Sequence, residues 1–205
     1  MVGAPPRLTL SATTRARSVS AALLLAASLP MASGATAQYA VSGNCRDARS
    51  HGAYELHMPD GRLRVAGAFN NGKRIGSFLF WSSTGSRLAL LPFDDDTMSG
   101  TVALWYSAAP SRAEPSRKLE ATYVGGRPVS ARSWYPDGRL RAEFRYDNEK
   151  LAEARAWNAN GMLLPDAEAR ALAARDRVAD EKFYDTLLAI VRDNPPACAS
   201  SGRKS

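Results

Sequence analysis

The side chains able to do chemistry in this 205-residue chain are few and scattered. There are two histidines, His51 and His57, and neither has a second histidine or a cysteine at metal-ligand spacing. Asp94, Asp95 and Asp96 could offer oxygens to calcium, but three consecutive acids lack the alternating spacing of a calcium loop, so a solvated loop is the expected reading. Glu143 and Glu153 resemble a glycosidase pair in residue type only, because such a pair needs an enclosed cleft to raise one pKa and nothing in the sequence encloses them. No glycine-flanked serine elbow, phosphate-binding loop or dinucleotide fingerprint is present. These residues predict a protein that is not an enzyme and takes no metal or cofactor.

Two cysteines remain, Cys45 near the start and Cys198 near the end. In an oxidising compartment such a pair reads as one disulfide. The compartment is suggested by the first residues. Arg7, Arg15 and Arg17, with no acid among them, precede the apolar run from Ala21 to Leu29, and Ala35-Thr36-Ala37 forms a small-x-small cleavage site. Residues 1–37 are therefore predicted to be an export signal, with a periplasmic or secreted mature protein. No stretch approaches the roughly 20 apolar residues of a membrane-spanning helix. The formal charge of the whole chain is +7, from 27 basic and 20 acidic residues; removing 1–37 takes three arginines and leaves 24 against 20. That mild basic excess, in an exported protein, argues against nucleic acid as a partner.

The elements that position these residues show as internal repeats. Gly52, Tyr54, His57 and Gly61 recur 24 residues later as Gly76, Phe78, Trp81 and Gly85. Tyr123, Gly126, Trp134, Gly138 and Leu140 recur 23 residues later as Tyr146, Glu149, Trp157, Gly161 and Leu163. Each copy holds an aromatic strand, a turn such as Asn71-Gly72 or Gly125-Gly126, a second strand, and a turn such as Pro59-Asp60-Gly61 or Pro136-Asp137-Gly138. Glycine after Asn or Asp supplies the positive φ of a tight hairpin turn, so each unit is predicted to be one hairpin. The segments 91–100 and 107–116, rich in Pro and Asp, read as loops that interrupt the period around an irregular strand at 101–106.

After Pro165 the spacing changes. Leu172, Ala179, Phe183, Leu187, Ile190 and Val191 recur at helical intervals up to Pro195-Pro196, which predicts a helix from Asp166 to Arg192 with Asp176, Asp180, Glu181 and Asp185 on its polar face. Such a helix is long enough to cover an open sheet. The expected organisation is an N-terminal segment at 38–51, a β-repeat domain at 52–164, a C-terminal helix at 165–194 and a tail at 195–205. The fold class is mainly β: tandem antiparallel hairpins in an open twisted sheet, with one long amphipathic helix.

The run Gly67-x-Phe69-x-x-Gly72-Lys73-Arg74-x-Gly76-x-Phe78-x-x-Trp81-x-x-x-Gly85 resembles a MORN repeat in its bacterial variant form. The resemblance spans roughly 52–163 and is to proteins such as the YwqK-type antitoxin components. It implies a scaffold or binding surface, and an inhibitor of immunity-protein type if a toxin is the target. The last copy departs from the pattern at Glu149 and Glu153, and neither the export segment nor the cysteines belong to it.

Period-two alternation separates an apolar face from a polar one. Leu63, Val65 and Phe69 share one phase, as do Leu140, Ala142, Phe144 and Tyr146. Arg62, Arg64, Arg139, Arg141 and Arg145 take the other, with Arg132 in the same phase of a third strand, which predicts one basic stripe suited to an acidic protein partner or an anionic polymer. The alternative is an envelope structural protein that binds glycan or another cell-wall polymer through aromatic platforms such as Trp105, Trp134 and Trp157.

Overall fold

The computed structural model describes residues 39–107 and 115–198. The expected export segment lies outside them. Eleven strands form one antiparallel sheet: β1 (Ala40–Arg46), β2 (Arg49–His57), β3 (Leu63–Asn70), β4 (Lys73–Trp81), β5 (Arg87–Asp94), β6 (Thr97–Met98), β7 (Gly100–Trp105), β8 (Arg117–Val124), β9 (Arg127–Trp134), β10 (Leu140–Asp147) and β11 (Lys150–Ala156). Neighbours in sequence are neighbours in space, except that the two-residue β6 pairs only with β5 while β7 continues the sheet. One helix follows, α1 (Asp166–Arg192), at the bounds expected.

Turn chemistry sets this meander. At Asp47-Ala48, Asn71-Gly72, Asp95-Asp96, Gly125-Gly126 and Asn148-Glu149, both turn residues have positive φ. That turn has a twist matching the strands it joins. At the opposite end of the hairpins the turns 58–62, 82–86, 135–139 and 158–162 share one pattern: the first residue's N–H donates to the last residue's carbonyl, and a glycine N–H donates back to the first residue's carbonyl. Two boundaries differ from expectation. The sheet begins at Ala40, so the segment assigned to 38–51 contributes β1 and the start of β2. Residues 91–94 are strand, and Asp95-Asp96 stand where Asn71-Gly72 stand one repeat earlier. An acidic triplet disguised a regular hairpin turn.

Register decides which side chains face the helix. Leu56 pairs with Val65 but His57 with Leu63, so Arg64 is an extra residue on β3. The same slip skips Leu88 between the pairs Phe80–Ala89 and Trp81–Arg87, Lys118 between Leu104–Leu119 and Trp105–Arg117, and Arg141 between Ser133–Ala142 and Trp134–Leu140. A bulge breaks the alternation and re-aims the extra residue. Leu88 packs against the core, the Lys118 Nζ lies 5.9 Å from the centre of the Phe183 ring, and Arg141 is ion-paired with Asp176 of α1. One guanidinium nitrogen of Arg64 is buried without a hydrogen-bond partner. Arg141 therefore leaves the outer face that simple alternation assigns it, Arg64 takes the equivalent bulge position on β3, and Leu63 and Leu140 take places opposite His57 and Trp134.

The main core joins Tyr54, Leu56, Val65, Phe78, Phe80, Leu91, Val102 and Leu104 to Tyr184, Leu187 and Val191 of α1. A second cluster joins Ala142, Phe144 and Ala156 to Ala169 and Ala173. The helix stripe thus runs 169, 173, 184, 187 and 191, and its helical continuation between the two clusters is Asp176 and Asp180. This corrects the expectation that both aspartates lie on the polar face; bulge-directed cations on the sheet receive them. Where α1 begins, Arg170 and Arg177 donate to the carbonyls of Leu151 and Glu149 on and beside the last strand, β11. Where it ends, the Tyr54 hydroxyl donates to the Asn194 carbonyl at 2.8 Å, and Cys198 is disulfide-bonded to Cys45 of β1.

Candidate functional site

Helix α1 covers one face of the sheet, and among the described residues no other helix or strand packs on the opposite face. On it the repeat places one residue type at one position. Leu56, Phe80, Leu104 and Ala156 are completely buried beneath the helix side. The next residue in each case, His57, Trp81, Trp105 and Trp157, projects from the opposite face by the pleat, as does Trp134 after the buried Ser133. All four tryptophans of the chain stand in this row, each partly exposed. The members recur on every second strand, in β2, β4, β7 and β9 and directly after β11. At about 4.8 Å between strands the repeat along the row is about 9.6 Å.

Cross-strand partners fill the intervals: Leu63, Arg87, Arg117, Leu140 and Leu163. The guanidinium carbons of Arg87 and Arg117 lie 5.2 and 4.9 Å from the centre of the Trp105 ring, so two cations flank one indole. The row is strapped at the same two-strand interval. The Tyr106 hydroxyl donates to the Trp134 carbonyl and the Tyr135 hydroxyl to the Trp157 carbonyl, each at 2.8 Å.

One pleat further along the strands runs a parallel row. Ala66, Leu79, Leu90 and Ala103 continue directly into Glu120, Arg132, Glu143 and Arg155, each opposite the next across the sheet. The charged half, with Arg145 and Glu153, lines a shallow hollow of about 470 Å³. Arg132 bonds Glu143 at 2.8 Å, and Arg145 stands 3.9 Å from Glu153. Among the described residues no group of three or more His, Cys, Asp or Glu is placed to hold a metal.

The six arginines expected to form one stripe are in three places. Arg62 and Arg139 each clamp the aspartate of their own turn: Arg62 Nε and Nη2 donate to Asp60, Arg139 Nε and Nη2 to Asp137. Those side-chain hydrogen bonds hold both aspartates below the usual carboxylate range. Arg141 is turned to the helix, where it pairs with Asp176, and Arg64 is the extra residue of the β3 bulge with one guanidinium nitrogen buried. Only Arg132 and Arg145 remain on the open face, both beside carboxylates. Arg87 and Arg117 were not singled out by the sequence; their shared position, one cross-strand step from the tryptophan register, is the signal that could have found them.

A second hollow, of about 870 Å³, lies where the last turns of α1 meet Phe69, Arg74 and Asp96. Arg74 stacks over Phe93 and bonds Asp96, so its charge is already engaged. Among the described residues no helix is long and apolar enough to cross a membrane. No family model matches the chain, and no characterised protein matches it in sequence.

Proposed function

We propose that this is an exported, non-enzymatic binding module that presents the helix-free face of its hairpin sheet to an extended partner in the periplasm or outside the cell. The observation that carries this reading is the alignment of Trp81, Trp105, Trp134 and Trp157 in one partly exposed row. Tryptophan offers a large, stiff contact area and is the residue type most enriched where binding energy concentrates. Four copies on the face away from the core serve no packing against α1. The resemblance of the hairpins to MORN repeats supports a scaffold role, and the disulfide suits an oxidising compartment. An inhibitory, immunity-type activity toward a protein is the form this role takes if the partner is a toxin.

The test is retention of the purified mature protein on isolated cell-envelope material. Wild type is expected to be retained, a Trp105→Ala, Trp134→Ala double variant to be released, and an Arg62→Glu, Arg139→Glu variant to behave as wild type. Equal retention of all three would overturn the assignment of the face.

A further inference from the structure

We propose that the tryptophan row is a binding track for a linear β-(1→4)-linked polysaccharide that carries carboxylates. This rests on the binding-module reading and names the ligand class. Three features of the face point to it.

The first is the interval. A β-(1→4) chain is an extended two-fold ribbon that turns the same face of its sugar rings to one side once per disaccharide. The indoles recur once per two strands, about 9.6 Å. Ribbon and row are therefore commensurate, whereas a folded protein partner imposes no such period. Trp81 to Trp157 spans six strand steps, about 29 Å.

The second is the division of labour between adjacent rows. The apolar face of a sugar ring stacks on an aromatic side chain, while its hydroxyls, which both donate and accept, need planar polar groups at the ring edge. The track supplies the indoles, and one pleat away, about 7 Å along the strands, Glu120, Arg132, Glu143 and Arg155 alternate acceptor and donor in the same direction. These side chains are half-buried to exposed and reachable.

The third is the charge held within the aromatic row itself. Among the described residues Arg87 has neither a carboxylate partner nor a side-chain hydrogen bond, and its guanidinium lies 5.2 Å from the centre of the Trp105 ring. Arg117 flanks the same indole from the other side and bonds Glu120 at 2.9 Å. A carboxylate on the sugar seated at Trp105 meets a fork of planar donors, the geometry in which arginine exceeds lysine.

The experiment titrates the mature, disulfide-bonded protein with mannuronate hexasaccharide, cellohexaose and the two corresponding disaccharides, reading tryptophan fluorescence and calorimetric heat. Mannuronate hexasaccharide is expected to bind saturably and at least tenfold more tightly than its disaccharide. Trp105→Ala should weaken it tenfold or more with an unchanged melting temperature. Arg87→Gln should weaken mannuronate but leave cellohexaose within a factor of two. Saturable binding of cellohexaose alone overturns the role of the carboxylate, and no binding of either hexasaccharide overturns the polysaccharide. If both fail while envelope retention still depends on Trp105, the binding-module reading stands; should protease treatment of the envelope then abolish retention, the row docks a protein instead. If retention is indifferent to Trp105, both readings fall.

Discussion

Arg141 and Asp176 meet in a two-pronged ion pair, Nη1 to Oδ2 at 2.5 Å and Nη2 to Oδ1 at 3.1 Å, between a bulge of β10 and the middle of α1. Each side chain is about one-quarter exposed, 26% and 23%. The pair is thus drier than a surface salt bridge and wetter than a buried one. It occupies the place where two hydrophobic side chains complete the stripe in an ordinary docked helix.

Removing one partner leaves a half-desolvated charge. Asp176→Ala and Arg141→Ala are each expected to destabilise by about 1–3 kcal/mol. The double replacement Arg141→Leu, Asp176→Leu should recover most of that loss, because well-packed apolar residues of similar size replace such pairs at little cost. Urea unfolding of the four proteins measures it. A double variant no more stable than either single alanine variant would show that the pair does more than hold the helix down.

Asp180 lies one turn further along the same stripe, and burial pushes its carboxyl up to about 6, against the opposing pull of Lys118 and Arg141. An acid whose folded pKa is raised is easier to protonate folded than unfolded. Its contribution is therefore most favourable below its ordinary value of 3.8, is lost as pH rises from about 4 to about 6, and stays lost above that. Thermal melts should show wild type losing about 1–2 kcal/mol across this window relative to Asp180→Asn, after discounting a full shift worth about 1.4 kcal/mol per pKa unit for partial solvation. At pH 7.5 the asparagine variant should be the more stable. Parallel pH profiles for the two proteins would remove Asp180 as the source.

The Cys45–Cys198 bond closes a loop of 153 residues, joining the edge strand β1 to the segment after α1. Loop entropy sets an upper value of about 5 kcal/mol for its stabilisation. Reduction should lower the melting temperature, and the double serine variant should reproduce the reduced protein. Thiol labelling of both cysteines in the non-reduced protein would show that the bond is not formed.

Ala48 occupies the second position of the first hairpin turn at φ 60°, where its counterpart in the next turn is Gly72 at 86°. A left-handed backbone costs a residue with a Cβ about 1 kcal/mol. Ala48→Gly should raise the melting temperature by about 2–4 °C in a domain of this size. The reverse holds at Gly67, where an added Cβ meets the Phe78 ring at 2.6 Å. Gly67→Ala is expected to cost about 1–3 kcal/mol through overpacking.

The hairpins, their glycine turns, the helix from 166 to 192 and the pairing of the two cysteines were all legible in the chain, because each rests on local or simply countable features. A turn needs positive φ at adjacent residues; a helix needs apolar residues at three- and four-residue intervals and a proline to stop it. The register of Trp81, Trp134 and Trp157 was legible too, since it repeats with the hairpin, whereas Trp105 reads as part of an irregular strand outside the period and joins the row only in the structure. Where local chemistry departed from the usual types, at Asp95-Asp96 and Asp47-Ala48, the same turns were hidden, although the strands around them form them regardless.

The faces were decided only by tertiary structure. Alternation specifies a face as long as each residue has one partner, and a bulge adds a residue that no local pattern marks. Arg64, Lys118 and Arg141 stand in the same phase as solvent-facing arginines when the strand is read alone, and their true side depends on which residue of the preceding strand takes the hydrogen bonds. Once the bulges carried Arg141 to the helix contact and placed the exposed Lys118 beside Phe183, Asp176 and Asp180 could occupy the helix stripe, because a carboxylate enters a half-dry interface when cations wait there. The same register left the outer face to the tryptophans, with Arg87 and Arg117 drawn in beside them from strands whose alignment is set by contacts across the sheet.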